Sequence, residues 1–274
     1  MTDYAEWIGR NSQRSEPLTP RLLAEFHATL DGVLAPQDVP PGVEFCLVPD
    51  ICTPDFLGRD GHPRTGIYLP DLPLPRRMWA GGQIKHFAPL AEGEMITKDS
   101  TIENVTFKTG RSGNLGFVTL RNLYQVDAVT RIEERQDIVY REDPTPGATP
   151  PRPLQADPWP DAETREITTN PTLLFRYSAL TFNGHRIHYD APYAREIEGY
   201  DGLVVHGPMQ AIWMQNLATM LLGHAPTLFE YRGLAPLTCG QPVRVEAKAG
   251  PDGLALRVRR TSDNTVTMQG TATA

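Results

Sequence analysis

Between Tyr177 and Asp190 the chain reads Tyr-Ser-Ala-Leu-Thr-Phe-Asn-Gly-His-Arg-Ile-His-Tyr-Asp, and His206-Gly207-Pro208 follows soon after. Three histidines (His185, His188, His206), Asn183 and Asp190 thus crowd a run bounded by apolar residues. Burying such groups costs free energy unless each has a partner or a task. A neutral imidazole near its unperturbed pKa suits proton transfer at neutral pH. The start of a helix offers free backbone N–H groups to a developing anion, and Gly207, without a Cβ, would let one approach closely.

Each residue also has a plainer reading. His188 could be a hydrogen-bonded core histidine, and Gly207 could serve a tight strand-to-helix turn. Arg186 could meet a carboxylate or phosphate, or lie on a solvated loop. Asp190 orients a histidine or caps a turn, and His206 packs at the helix entry. His185 and His188 lie three apart, but a third metal ligand is not obvious, so no metal is expected.

The elements that must position this run can be read around it. Pro208 suits a first helical turn, and Met209, Ile212, Trp213, Leu217, Met220 and Leu221 recur at helical spacing up to Gly223. This helix is apolar over much of its circumference, which predicts burial on more than one side. Strand patterns follow at 241–249, 254–260 and 265–272. In the first half, Thr19-Pro20 opens an amphipathic helix through Leu22, Leu23, Phe26 and Leu30, ended by Gly32. Prolines from Pro36 to Pro75 then leave only loop with short pieces. Strand patterns return at 94–107, 115–129 and 132–140, the first two joined by a hairpin over Thr109–Asn114.

Ala88-Pro89-Leu90-x-x-Gly93 recurs as Ala235-Pro236-Leu237-x-x-Gly240, and each copy precedes three strands. The chain therefore reads as two copies of one α+β unit. Residues 1–143 form the first and degenerate copy, the proline-rich span 144–162 an extended linker, and residues 163–274 the copy carrying the polar run. The first half shows no comparable polar cluster, so one active site per chain is expected.

With 274 residues, 40% hydrophobic and 22% charged, the chain has the composition of a globular protein with a sizeable core. A net charge of −7 argues against a nucleic-acid surface. No stretch approaches the roughly 20 apolar residues of a membrane span, and the first residues show no signal peptide. Cys46, Cys52 and Cys239 suggest neither a disulfide framework nor a zinc site. The cytoplasm is the expected compartment.

A duplicated helix-and-strands unit bearing this run resembles the MaoC-like hydratases of the hot-dog superfamily. Within them it is most similar to the fused double-hot-dog proteins, which include the hydroxyacyl-thioester dehydratase type 2 and the mesaconyl-C4-CoA or itaconyl-CoA hydratases. The resemblance covers most of the chain, most strongly 79–127 and 172–242. Its signature, Asp-x-Asn-Pro-Leu/Ile-His-x-Asp, aligns with Asn183 to Asp190. His188 and Asp190 match, and His206-Gly207 matches the start of the hot-dog helix. Asn183 stands where the catalytic aspartate is expected, and His185 where asparagine is.

The resemblance implies a double hot-dog fold, each unit a helix wrapped by a curved antiparallel sheet, and hydration of an enoyl thioester or the reverse dehydration. His188 would then take a proton from water, and the Gly207 N–H would stabilise the thioester oxygen. Asn183 would hold the water without returning a proton, while His185, Arg186, Asp190 and His206 would line the substrate. A CoA or carrier-protein thioester is the expected partner, with no separate cofactor, no nucleic acid and no membrane; a further homodimer is expected. A hot-dog thioesterase and a non-catalytic acyl-thioester-binding subunit are the alternatives.

Overall fold

The computed structural model describes residues 4–110, 113–144 and 153–274. Strands β1 (Asn11–Pro17), β2 (Arg76–His86), β3 (Met95–Gly110), β4 (Gly113–Val126) and β5 (Val129–Arg141) come from the first half. The second half supplies β6 (Glu163–Thr168), β7 (Leu228–Gly233), β8 (Pro242–Gly250), β9 (Gly253–Arg260) and β10 (Val266–Thr273). All ten form one sheet in the order β1-β3-β4-β5-β2-β7-β10-β9-β8-β6, with every neighbouring pair antiparallel. Read outward from the β2–β7 junction, the two halves have the same strand order. The tandem sequence repeat is therefore a repeat of topology.

The short motif that signals the repeat does the same structural work twice. In the first copy the N–H groups of Phe87 and Ala88 share the Arg131 carbonyl, and Gly93 donates to Leu18. In the second copy Leu234 and Ala235 share the Thr267 carbonyl, and Gly240 donates to Thr169. Gly93 (φ +86°) and Gly240 (φ +87°) both adopt the left-handed conformation that favours glycine. Leu18 and Thr169 each lead into a short helix of matching design, α1 (Pro20–Thr29) capped by Thr19 and α2 (Pro171–Leu180) capped by Asn170. The expected helix at Thr19-Pro20 is thus α1. The Asn170-Pro171 start signal of α2 escaped the reading because its helix runs directly into the histidine segment.

The long helix α3 (Gly207–Leu222) exists in the second half alone among the described residues, and Gly223 ends it with φ +82°. Met209 through Thr219 are all buried. One side packs on β7 to β10 and on β2. Another is covered by the proline-rich segment of the first half, which carries single helical turns at Val43–Cys46 and Pro54–Phe56. The Ala35 N–H donates to Asn216 Oδ1 at 2.9 Å, and Asn216 Nδ2 donates to the Pro41 carbonyl at 2.9 Å. The first half thus encloses a helix that it does not itself possess.

Between β2 and β7 the two halves join through Gly81↔Arg232 to Lys85↔Leu228. Glycine is required there: a Cβ on Gly81 would stand 2.5 Å from the Tyr231 carbonyl oxygen, and one on Gly82 2.2 Å from that of Arg135. Those two glycines also dilute the strand signal of β2.

The expected linker at 144–162 and the Thr109–Asn114 turn fall in part outside the described residues. Where 153–162 is described, it runs along the second half: Val266 donates to the Leu154 carbonyl at 2.8 Å, and Trp159 lies under Lys248 and Arg257. No described helix is long and apolar enough to cross a membrane.

Candidate active site

His188 lies in a single helical turn, Arg186–His188, that follows α2. Its Nδ1 is 2.7 Å from the Val204 carbonyl oxygen. Only a protonated Nδ1 can donate there, so Nε2 keeps its lone pair. The ring is buried, and burial pushes its pKa down to about 3, against a smaller upward effect of the Val204 carbonyl. His188 is thus held as a neutral imidazole with one basic nitrogen, which is the form a general base needs.

His206 stacks on His188 with ring centroids 3.5 Å apart, and its Nε2 lies 2.9 Å from Ser178 Oγ. It precedes α3, whose first turn has no side-chain cap. Pro208 has no N–H, so Gly207 and Met209 carry the first free donors. The indole of Trp79 lies against Gly207: an added Cβ would stand 2.7 Å from its Cε3. Glycine at 207 is therefore also a packing requirement imposed by β2.

Asn183 Oδ1 accepts the His185 N–H at 2.9 Å, closing a local turn, while the Asn183 N–H donates to the Ser178 carbonyl at 2.8 Å. Its side-chain oxygen is already used. Asn183→Asp preserves that acceptor, so the variant is expected to keep the fold and to retain or raise activity in a hydration assay. A fully inactive, folded variant would show that the neutral amide is needed.

Arg186 and Asp190 form an ion pair with each other at 2.7 Å. Arg186 lies over Tyr193 at 4.1 Å, and Asp190 Oδ1 accepts the Tyr193 N–H at 3.1 Å. Asp190 thus caps a turn, and Arg186 is spent on its own neighbours, on the outer side of the segment. His185 faces inward. It is buried, its ring centroid 5.4 Å from that of His188, and burial together with the nearby His62 and His188 holds it far below its usual pKa.

The first half reaches this cluster, contrary to the expectation that it held nothing comparable. The His62 ring lies 4.2 Å from that of His185, and His62 Nδ1 is 3.0 Å from Asp60 Oδ2. Arg77 donates to the same Asp60 oxygen at 3.2 Å, and the His62 N–H donates to Oδ1 at 3.1 Å. Burial opposes ionisation of Asp60, but the bond from His62 and the charge of Arg77 prevail and hold it below the ordinary carboxylate range. The two chain segments meet backbone to backbone: Arg186 donates to the Asp60 carbonyl at 2.8 Å, and a Cβ on Gly61 would stand 2.1 Å from the Gly184 carbonyl oxygen.

One donor atom each from Asp60, His62 and His185 lies within 4.8 Å of the others, a spacing that could suit a cation. Both Asp60 oxygens are already engaged by protein donors, and Arg77 places a positive charge beside them. The arrangement is that of a carboxylate–imidazole pair. Asp-Gly-His at 60–62 sits among prolines and glycines, where no periodicity could point to it. Two open surface cavities, of about 310 Å³ at His27–Asp38 and about 690 Å³ beside Thr101–Asn104, contain none of these histidines.

Comparison with known proteins bears on the fold and the family. The chain is 40% identical over 264 residues to the mesaconyl-C(4)-CoA hydratase of Chloroflexus aurantiacus, covering 94% of this chain and 93% of that one. Among solved structures, HtdX of Mycobacterium tuberculosis superimposes with a TM-score of 0.69 at 17% identity, over 97% of this chain and all of that one. A second M. tuberculosis protein, described as a double hot-dog, superimposes with a TM-score of 0.56 at 14% identity, over 97% and 96% of the two chains. The sheet and its buried helix are thus a double hot-dog. Residues 42–239, which hold every histidine of the cluster, match the family model described as hydroxyacyl-thioester dehydratase type 2, and the chain belongs to that family.

Proposed function

We propose that this chain adds water across the double bond of an enoyl-CoA thioester, with the mesaconyl-C4 acyl group as its substrate. The carrying observation is the 2.7 Å contact of His188 Nδ1 with the Val204 carbonyl, which leaves Nε2 as a fixed base. In the reaction, His188 takes a proton from water as the oxygen bonds to the β-carbon. The π electrons move toward the thioester, whose oxygen gains negative charge. The free N–H of Gly207 at the start of α3 is the donor for that oxygen. Protonation of the α-carbon completes the addition.

The 40% identical hydratase supports the choice of acyl group. So does the surround of His206. The Tyr177 ring lies 4.8 Å from it, and the Tyr177 hydroxyl, the Trp79 indole N–H and His206 Nδ1 are buried without a protein partner among the described residues. Such a lining favours an acyl group that carries oxygen atoms over a plain hydrocarbon. The three free cysteines accord with a reducing compartment, so cytoplasmic placement belongs to the same reading, as does a homodimer.

The test offers mesaconyl-C4-CoA, itaconyl-CoA and crotonyl-CoA to the purified protein, following enoyl-thioester absorbance and free thiol together. The expected result is absorbance loss without thiol, with kcat/KM for mesaconyl-C4-CoA at least about tenfold above crotonyl-CoA. Thiol release would instead identify a thioesterase, and silence on all three a binding subunit.

A further inference from the structure

The run from Asn183 to Asp190 places no carboxylate among the histidines, since Asn183 is an amide bound to the His185 N–H and Asp190 is held by Arg186. A carboxylate arrives from the first half instead. Asp60 accepts from His62 Nδ1 and from Arg77, whose Nη2 also donates to the Pro63 carbonyl at 2.5 Å. With Nδ1 fixed on Asp60, the opposite edge of His62 presents Nε2, and the side chain is 27% exposed. The same ring lies against His185, which in turn meets His188.

His62 and His188 are therefore anchored in the same way, each donating Nδ1–H and presenting Nε2. They differ in the anchor. His62 holds an ionised carboxylate, which stabilises an imidazolium, whereas His188 holds a backbone carbonyl inside the fold, which favours the neutral ring. Two titratable groups with opposed surroundings are the usual arrangement of an acid and a base. We propose that His62, oriented by Asp60, is the general acid of the site and delivers the proton to the α-carbon.

This rests on the hydration reading above. The step balances: water gives its proton to His188 Nε2 and its oxygen to the β-carbon, while the Nε2–H bond of the His62 imidazolium breaks and that proton bonds to the α-carbon. His188 leaves protonated and His62 neutral; the proton gained by His188 equals the one lost by His62, and its return by way of solvent at the partly exposed His62 side chain restores the starting state. The titratable and charged groups that act on His62 are Asp60 on its own loop, Arg77 on β2, His185 across the ring contact, His188 behind it, and Glu198 through its charge. Burial holds the His62 pKa below its usual value and Arg77 lowers it further, while the Asp60 bond and the charges of Asp60 and Glu198 work against that lowering.

The test compares wild type, His62→Gln and Asp60→Asn with mesaconyl-C4-CoA across pH, and follows the imidazole nitrogens of the labelled wild-type protein by NMR. His62→Gln is expected to lower kcat about 100-fold with little change in KM. An acid must be protonated, so activity falls as pH rises through its pKa. Asp60→Asn removes the group that raises that pKa, so the alkaline limb of kcat should move to lower pH. The NMR arm needs no substrate: His62 should carry its proton on Nδ1 and titrate at higher pH than His188. Wild-type kcat in His62→Gln, or a His62 that titrates at or below His188, overturns the proposal. A wild-type protein that hydrates none of the thioesters refutes the hydration reading separately, and the NMR result still decides whether His62 is poised as the acid.

Discussion

Replacing His188 by alanine is expected to lower kcat for hydration by about 10²–10⁴-fold, the range a positioned general base contributes. The physical basis is the fixed tautomer. Val204 holds Nδ1–H, so the ring presents one basic nitrogen in one orientation, and burial keeps that nitrogen unprotonated at neutral pH. Alanine removes the base and the ring that stacks on His206 at 3.5 Å, so some stability is lost as well. His188→Gln separates the two effects: its amide can still donate to the Val204 carbonyl but cannot take a proton. Both variants should bind the thioester with KM near wild type and show an equal collapse in kcat. The measurement is the loss of enoyl absorbance at saturating substrate, beside a thermal melt to confirm the fold. A folded His188→Gln enzyme within a few-fold of wild type would remove His188 from the mechanism.

Much of this architecture was legible in the sequence, for identifiable reasons. Strands β3, β4, β5, β8, β9 and β10 show alternating patterns because one face meets a core and the other does not. α3 shows because its apolar residues recur at helical spacing between Pro208 and Gly223. What escaped has physical causes too. β1 is a polar edge strand, Asn-Ser-Gln-Arg-Ser-Glu-Pro, mostly exposed. β2 carries the two glycines that let the halves join, which erases its strand propensity.

The site divides along the same line. His188, His206 and Gly207 were visible because they lie in one run beside a helix start. His62, Asp60 and Arg77 were not, because their meeting with His185 depends on Gly61 and Gly184 crossing at backbone distance. Arg186 and Asp190 attracted a substrate role by residue type. Their spacing of four on one turn instead makes them partners of each other.

The largest stability effect is expected at Glu246, far from the histidines. β9 alternates Leu256 and Val258 with Arg257 and Arg259, a pattern that would ordinarily place the arginines in water. Both are buried, because residues 154–159 cover that face and the Asp157 carbonyl accepts from Arg257 at 2.6 Å. Glu246, opposite on β8, accepts from Arg257 Nε at 2.5 Å and from Arg259 Nε and Nη2 at 3.0 and 2.6 Å. One carboxylate thus answers two guanidinium groups out of water. Removing one partner of a buried ion network costs about 3–5 kcal/mol, since the remaining charges stay desolvated. Glu246→Ala should therefore lower Tm by roughly 10 °C for a chain of this size, because among the described residues Arg257 then keeps Asp157 and Trp159, and Arg259 keeps Asn264 and the Arg260 carbonyl. Glu246→Gln keeps acceptor and shape but loses the charge, and should fall between the two. A triple change of Glu246, Arg257 and Arg259 to leucine, which leaves no charge to strand, should recover most of the loss. A Glu246→Ala protein that melts with the wild type would mean that the arginines reach water once the carboxylate is gone, and that the 154–159 segment covers them only while Glu246 holds them in place.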